Sequence, residues 1–417
     1  MEEFQSTYRI IKERTSSSVS GQHVGHYKAA VQDDSLSTIH SAMMSMPYAV
    51  GFSPERWQKV IDVMLEKEPG NPKIHHLCII SLIESDYNQS QRILIARRLS
   101  HRMEDMQLIP DMQYGSRPGK LCITPVLNKQ LRHNIIIQTK QTAAVIENDA
   151  VGCYDRLMNP LLLLAMRWLG IPRTLTLSIA RTWSHTLHSI KTAYGISSVS
   201  YENTPTTPLF GPGQGSTTGP TLWQVSFALL KNSALAAGTE LMGDNEPIVP
   251  LILDSPDNSI HIKNPGEAFV DDSDLASSSL IPQHPHEVSP VDQKLQGAPA
   301  IKNLQVMAQR WERALFTTGG AINFSKSFWF LFHWKWTGGV AKLISPPPFT
   351  SLSLTEGDCV DNPVQVPNKS VHDTYRTLGV HISPSGATRT SFKVLLGKAQ
   401  DYHDKIVSSK LPREAAL

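Results

Sequence analysis

The sequence predicts an α+β fold, and three observations carry that expectation. Strand-like and helix-like segments alternate irregularly along the 417 residues, with no steady strand-helix-strand rhythm and no Gly-x-Gly-x-x-Gly opening. Short apolar runs of strand length end in acids at two places, Asp149 in "VIENDAVGCYD" and Asp271-Asp272 in "AFVDDSDLASSS". A composition of 40% hydrophobic and 18% charged residues describes a chain that packs a core. Its length predicts two or three domains.

Residues 1–67 carry helical patterns, broken by the polar stretch "TSSSVSGQHVGHYK", whose His23 and His26 read as solvated loop histidines. A strand follows at 77–83 ("LCIISLI"). A helix at about 88–103 then bears Arg92, Arg97, Arg98 and Arg102, which form either a solvated face or a phosphate contact. After the strand that ends in Asp149 comes a helix with Asn159 as cap and Pro160 at its first position. Gly170 and Pro172 stop it.

The glycine-rich "GPGQGSTTGPTLWQ" feeds a helix starting near Pro220, and 237–265 reads as a loop insertion rich in Pro, Asp, Asn and Gly. A second such stretch, 281–299, leads into a helix with Ile301, Leu304, Ala308, Trp311 and Leu315 on one face, ended by Gly319 and Gly320. "SFWFLFHWKW" at 327–336 predicts a strand closed by a Thr-Gly-Gly turn, and "YRTLGVHI" at 375–382 predicts another.

Lysine and arginine total 39 against 37 acids, and a net charge of +2 neither demands nor excludes nucleic acid. The longest greasy run, "PLLLLAMRWLGI", is interrupted by Arg167 and too short to span a bilayer, so no membrane partner is expected. The charged start "MEEFQSTYRIIKER" has no apolar core of a secretory signal. Cys78, Cys122, Cys153 and Cys359 are scattered without a CxxC pair, which argues against zinc and against a disulfide scaffold.

Neighbouring ionised carboxylates repel, and burying them is costly without a compensating cation. Asp271 and Asp272 therefore read either as a plain hairpin turn or as a site. Should the two acid-ended strands be neighbours, Asp149, Asp271 and Asp272 converge into the oxygen-donor set that Mg²⁺ takes. Asp155 and Asp274 are rival acids that read as turn and helix-start residues. "GPGQGS" lacks the Gly-Lys-Ser/Thr of a phosphate loop, although Gln214 and Ser216 are polar handles there.

Taken in order, six segments resemble the motifs of reverse transcriptases, most closely those of eukaryotic non-LTR (LINE-like) retrotransposons. They are "MQYGSRPGK", "NDAVGCYD", "GPGQGSTTGPTLWQ", "FVDD", "GGAINFSKSFW" and "YRTLGVHI". The resemblance spans roughly residues 70–385. It implies a right-hand polymerase architecture of fingers and palm, with a catalytic antiparallel-sheet palm and an incomplete thumb. The boundaries it suggests are a helical extension at 1–67, fingers and palm at 68–385, and the start of a truncated thumb at 386–417.

The implied activity is template-primed addition of dNTPs by an RNA-directed DNA polymerase, with two Mg²⁺ (or Mn²⁺) ions held by Asp149, Asp271 and Asp272. Lys326 would protonate the leaving pyrophosphate. Tyr154 would exclude a ribose 2′-hydroxyl, and Gln214, Gly215, Ser216 and Lys73 would bind the nucleotide. Gln113, Arg117, Leu378 and Gly379 would meet the RNA template and DNA primer. Cys78 stands where the family shows a triphosphate-gripping arginine. The same features thus also fit an inactive nucleic-acid-binding relic. An intracellular, nuclear location and other domains of a retrotransposon polyprotein as partners follow from the resemblance alone.

Overall fold

Helix and strand both contribute heavily, at 43% and 25%, so the α+β expectation holds. The computed structural model describes residues 1–13, 18–71, 73–235, 250–254, 261–278, 297–345, 350–357 and 359–409. Its strands in chain order begin with β1 Lys59–Glu66, β2 Leu77–Leu82, β3 Ala143–Asp149, β4 Leu187–Thr192 and β5 Gly195–Glu202. Next come β6 Leu251–Asp254, β7 His261–Asn264, β8 Ala268–Phe269, β9 Asp272–Ser278 and β10 Phe328–Thr337. The last five are β11 Val340–Ile344, β12 Leu352–Glu356, β13 Cys359–Val366, β14 Tyr375–Thr377 and β15 Val380–Ile382.

The chain divides into two units. The first comprises Met1–Asp111, Val151–Ser233 and Ala314–Ala321; the second comprises Met112–Ala150, Ala234–Arg313 and Ile322–Leu417. The expected boundaries near 67 and 385 fall inside units instead. β1 starts at Lys59 and is hydrogen-bonded to β2 and to β4 of the same unit.

In the first unit, a sheet of order β2-β1-β4-β5 is antiparallel except for the parallel pair β1–β4. The expected arginine helix is continuous from Ser85 to Asp105 with a π-helical middle, Arg92–Leu99. Three of its cations are tied to protein: Arg97 donates to Thr7, Arg98 to Glu3 and Arg102 to the Leu169 carbonyl. His23 and His26 are not loop histidines. They form a reciprocal capping box at the start of helix Val24–Ala30. Helix Asn159–Trp168 takes Met158 as its N-cap, one residue before the expected Asn159, whose side chain donates to the Leu209 carbonyl.

The second unit is built on a sheet of order β11-β10-β3-β9-β8. β3 and most of β10 are buried on both faces because each face is covered by a helix. Phe328, Phe330 and Phe332 pack with Val126 and Ile136 of helix Ile123–Thr139. On the opposite side, helix Gly297–Thr317 brings Gly297 against Leu331, and its Trp311 indole donates to Asn148. Of the expected insertion, 237–249 and 255–260 lie outside the described residues. The rest forms the hairpin β6–β7, with Leu251 and Leu253 in the core. The segment 281–299 falls largely outside them, as does 410–417 at the end of the expected thumb. "YRTLGVHI" is not one strand but the hairpin β14–β15, because Leu378 (φ +47°) and Gly379 (φ +84°) reverse the chain.

Helix Ile123–Thr139 also delivers cations into this core. Lys129 Nζ lies 2.7 Å from Glu147 Oε2 and 3.1 Å from Asp274 Oδ2, and Arg132 donates to Asp274 Oδ1 at 2.7 Å. Tyr375 adds a hydroxyl to Glu147 at 2.7 Å. Asp274, expected as a turn or helix-start acid, is thus a buried strand residue with two cations. Burial alone would raise its pKa, but Arg132 and Lys129 more than offset this and hold it well below the usual carboxylate range.

A carboxyl with a depressed folded pKa contributes stability above its unfolded value, which is lost as the pH falls through the folded one. Acid unfolding should therefore set in below about pH 4 and be shallower in Asp274→Asn. Lys129→Met leaves the buried Glu147 carboxylate without its cation, so urea unfolding at neutral pH should show a loss of about 3–5 kcal/mol.

Candidate functional site

The site grows from the hairpin β8–β9. Its strands meet with Phe269 opposite Asp272, leaving Val270 and Asp271 as the turn. A two-residue turn needs a left-handed conformation, and here the β-branched Val270 adopts it with φ +58°. Such a conformation costs on the order of 1–2 kcal/mol and persists where the surroundings enforce it.

Gln113 does so here. Its side-chain oxygen accepts from the Val270 N–H at 3.0 Å and from the Gly115 N–H at 2.9 Å. Backbone bonds tie the same segment to β8: Ala268 N–H to Met112 O and Tyr114 N–H to Ala268 O, each at 2.8 Å. Gly115 has no alternative, since a Cβ there would lie 2.4 Å from the Val270 nitrogen. Gln113, expected on the surface that meets template, is instead wholly buried and holds the turn. Arg117 is half-buried and donates to the Gln113 carbonyl at 3.0 Å.

Across the sheet, β3 pairs with β9 so that Asp149 faces Asp272. The convergence expected of the two acid-ended strands is therefore present for this pair, with Asp271 next along the turn. Side chains alternate faces along a strand, so Glu147 and Asp149 share a face, as do Asp272 and Asp274. The site is the outer end of the ladder whose inner rung is Glu147–Asp274.

The inner rung has Lys129 and Arg132. At the outer rung, Lys326 Nζ stands 3.1 Å from Asp149 Oδ2, and Asn323 Nδ2 donates to the same oxygen at 3.0 Å. Burial raises the pKa of Asp271 above the usual range, with Asp149 pushing the same way. Burial raises Asp272 too, followed by repulsion from Asp271 and Asp149.

Three carboxylates answered by a single exposed lysine are a hard-oxygen donor set of the kind Mg²⁺ or Mn²⁺ takes, and in charge and chemistry they fit such a cation. In the arrangement observed, Asp149 is turned to Lys326 and Asn323. Among the described residues, no three His, Cys, Asp or Glu side chains close into a metal-holding group.

The other expected site residues divide between the units. Leu378 and Gly379, in the second, form the β14–β15 turn, and Leu378 packs on the core. Tyr154, Gln214, Gly215, Ser216 and Lys73 belong to the first unit. The Tyr154 ring lies against Gly219 at the start of helix Gly219–Leu235, and its carbonyl is so close to Gly211 that a Cβ there would sit 1.8 Å away.

Gln214 is fixed from three directions. Its Nε2 donates to Asp155 Oδ2 at 3.1 Å, its Oε1 accepts the Cys78 thiol at 3.0 Å, and its carbonyl accepts the Ser81 N–H. Gly215 passes its carbonyl to Asn88 Nδ2, and Ser216 pairs with Thr218 at 2.7 Å. Lys73 is exposed in the loop between β1 and β2. The sequence reading missed Asn323, Lys129 and Arg132. The signal for the last two was present: they fall on the Val126–Ile136 stripe of an apolar helix face, where a cation needs a buried partner.

Neither the family models nor the curated proteins contain a match for this chain.

An acid whose folded pKa is raised destabilises the fold increasingly as pH climbs from its unfolded value through the folded one. Asp272→Asn should therefore raise Tm by a few degrees at pH 7. The gain should vanish at about pH 3, where the wild-type carboxyls are protonated, in a thermal scan across that range.

Proposed function

We propose that this chain is an RNA-directed DNA polymerase of reverse-transcriptase type, with fingers and palm, adding dNTPs to a DNA primer along an RNA template. The observation that carries the reading is the cross-strand pair Asp149–Asp272 with Asp271 at the strained turn beside it. A fold that pins three acids against their mutual repulsion has a use for the charge.

In this reading Asp149, Asp271 and Asp272 hold two Mg²⁺ or Mn²⁺ ions. Once bound, the ions supply Lewis-acid stabilisation of charge on phosphate oxygens. Lys326 carries a proton on Nζ for the pyrophosphate oxygen that leaves, and its exposed position beside Asp149 leaves it accessible to substrate. Asn323 orients the Asp149 carboxylate. Gln113 acts through the hairpin rather than on template.

The Tyr154 ring fills the space of a ribose 2′-hydroxyl. Gln214, Gly215 and Ser216 line the nucleotide, and Lys73 offers charge to its triphosphate. In this reading the half-buried Arg117 and the β14–β15 turn at Leu378 and Gly379 would meet template and primer through what they leave exposed. A second reading, a nucleic-acid-binding relic, has one observation in its favour: the Cys78 thiol, in place of the expected arginine, is directed to Gln214.

Primer extension on poly(rA)/oligo(dT) with dTTP and Mg²⁺ or Mn²⁺ separates the two. The polymerase reading expects extension that falls at least about a hundredfold in Asp271→Asn/Asp272→Asn. Salt-dependent binding of template-primer without extension establishes the relic. Extension that survives the double substitution removes the carboxylates from the reaction.

A further inference from the structure

The first unit encloses a cavity of about 300 Å³, at the lower end of the range for small-molecule sites. Its floor is a polar ladder with one residue from each strand of the four-stranded sheet. Asp62 on β1 is buried and accepts from Ser81 on β2 at 2.7 Å, from His188 Nδ1 on β4 at 2.8 Å and from Tyr201 on β5 at 2.5 Å. His188 and Tyr201 stack, with ring centroids 5.0 Å apart. An ordinary sheet places apolar side chains on a buried face; here a carboxylate is built in and satisfied by three donors.

The consequence falls on His188. With Nδ1 engaged by Asp62, the neutral imidazole keeps its proton on Nδ1, and Nε2 is left as an acceptor on a residue lining the cavity. Asn159 lines the same space. Its Nδ2 donates to Leu209 O, while its Oδ1 is buried without a hydrogen-bond partner among the described residues. An unpaired buried acceptor costs on the order of 1–3 kcal/mol, which a donor from a ligand or water would offset.

Asp155 adds a second carboxylate to the lining, and no lysine or arginine is among the described residues there. Trp57, Tyr87, Trp183 and Phe210 provide flat apolar walls. Acceptors and negative charge between aromatic faces suit a flat molecule that donates hydrogen bonds. They oppose a phosphate, so this cavity is not a nucleoside triphosphate site.

We propose that the cavity is a binding site for a planar, amino-substituted heteroaromatic or amidine ligand, seated between the aromatic walls and donating to His188 Nε2 and Asn159 Oδ1. Ser216 also lines the cavity, so an occupant touches the loop that carries Gln214 and Gly215.

Calorimetric titration of the full chain with benzamidine, adenine and adenosine 5′-monophosphate tests this, with tryptophan fluorescence as a second readout because Trp57 and Trp183 line the walls. Saturable one-to-one binding of benzamidine or adenine is expected, with the monophosphate at least tenfold weaker than adenine. His188→Ala should weaken the bound probe about tenfold, one charge-assisted or buried hydrogen bond. Asp155→Asn, which keeps an acceptor for the Gln214 amide and removes the charge, should weaken the amidine more than adenine. No saturable binding of any probe, equal or tighter binding of the monophosphate, or binding indifferent to both substitutions overturns the proposal.

Discussion

The second unit depends on a buried exchange of charge between one helix and two strands. Lys129 and Arg132 enter from helix Ile123–Thr139, and Glu147 and Asp274 answer them from β3 and β9. Four ionisable groups with almost no solvent around them tolerate very few alternative arrangements, because any slip leaves a charge unpaired. A one-residue slip between β3 and β9 would turn Glu147 or Asp274 to the opposite face, away from the cations. The ionic network thus fixes the register, and the register is what sets Asp149 opposite Asp272. Electrostatics in the interior determines geometry at the rim.

The same strand pair therefore has two electrostatic regimes along one face. Its inner rung is neutralised by cations that cannot leave. Its outer rung is answered by Lys326, on a flexible stem with a 68% exposed side chain, which a stronger cation or a charged substrate can displace. Strain is distributed in the same way. The rungs lie in regular strand geometry, and the unfavourable backbone is confined to Val270, where the buried Gln113 amide and the approach of Gly115 enforce it.

Much of this was legible beforehand, for identifiable reasons. The strand "SFWFLFHWKW" and the helix around Leu304 and Trp311 declare themselves because apolar periodicity is a direct record of burial. The acids that end two apolar runs stand out in the sequence, but their pairing across β3 and β9 follows from the sheet. What stayed hidden depended on partners distant in sequence. Asp274 reads as a turn or helix-start acid until Lys129 and Arg132 are placed beside it. His23 and His26 look like solvated loop residues because their bonds go to backbone N–H groups that any sequence possesses. Gln113 looks like a surface contact because a short motif does not show which way a glutamine turns. Patterning gives elements, and only topology gives the partners of polar groups.

The interleaving of the two units bears on how the chain must be made. Each is assembled from three separate stretches, and the first is complete only when Ala314–Ala321 has been added. The second meanwhile waits for the strand Phe328–Thr337 that lies beside β3. A chain emerging from the ribosome therefore holds β1, β2 and β4 for more than a hundred residues before the last piece of their unit exists. Each unit takes up a stretch that lies between stretches of the other, so no single cut in the chain separates them.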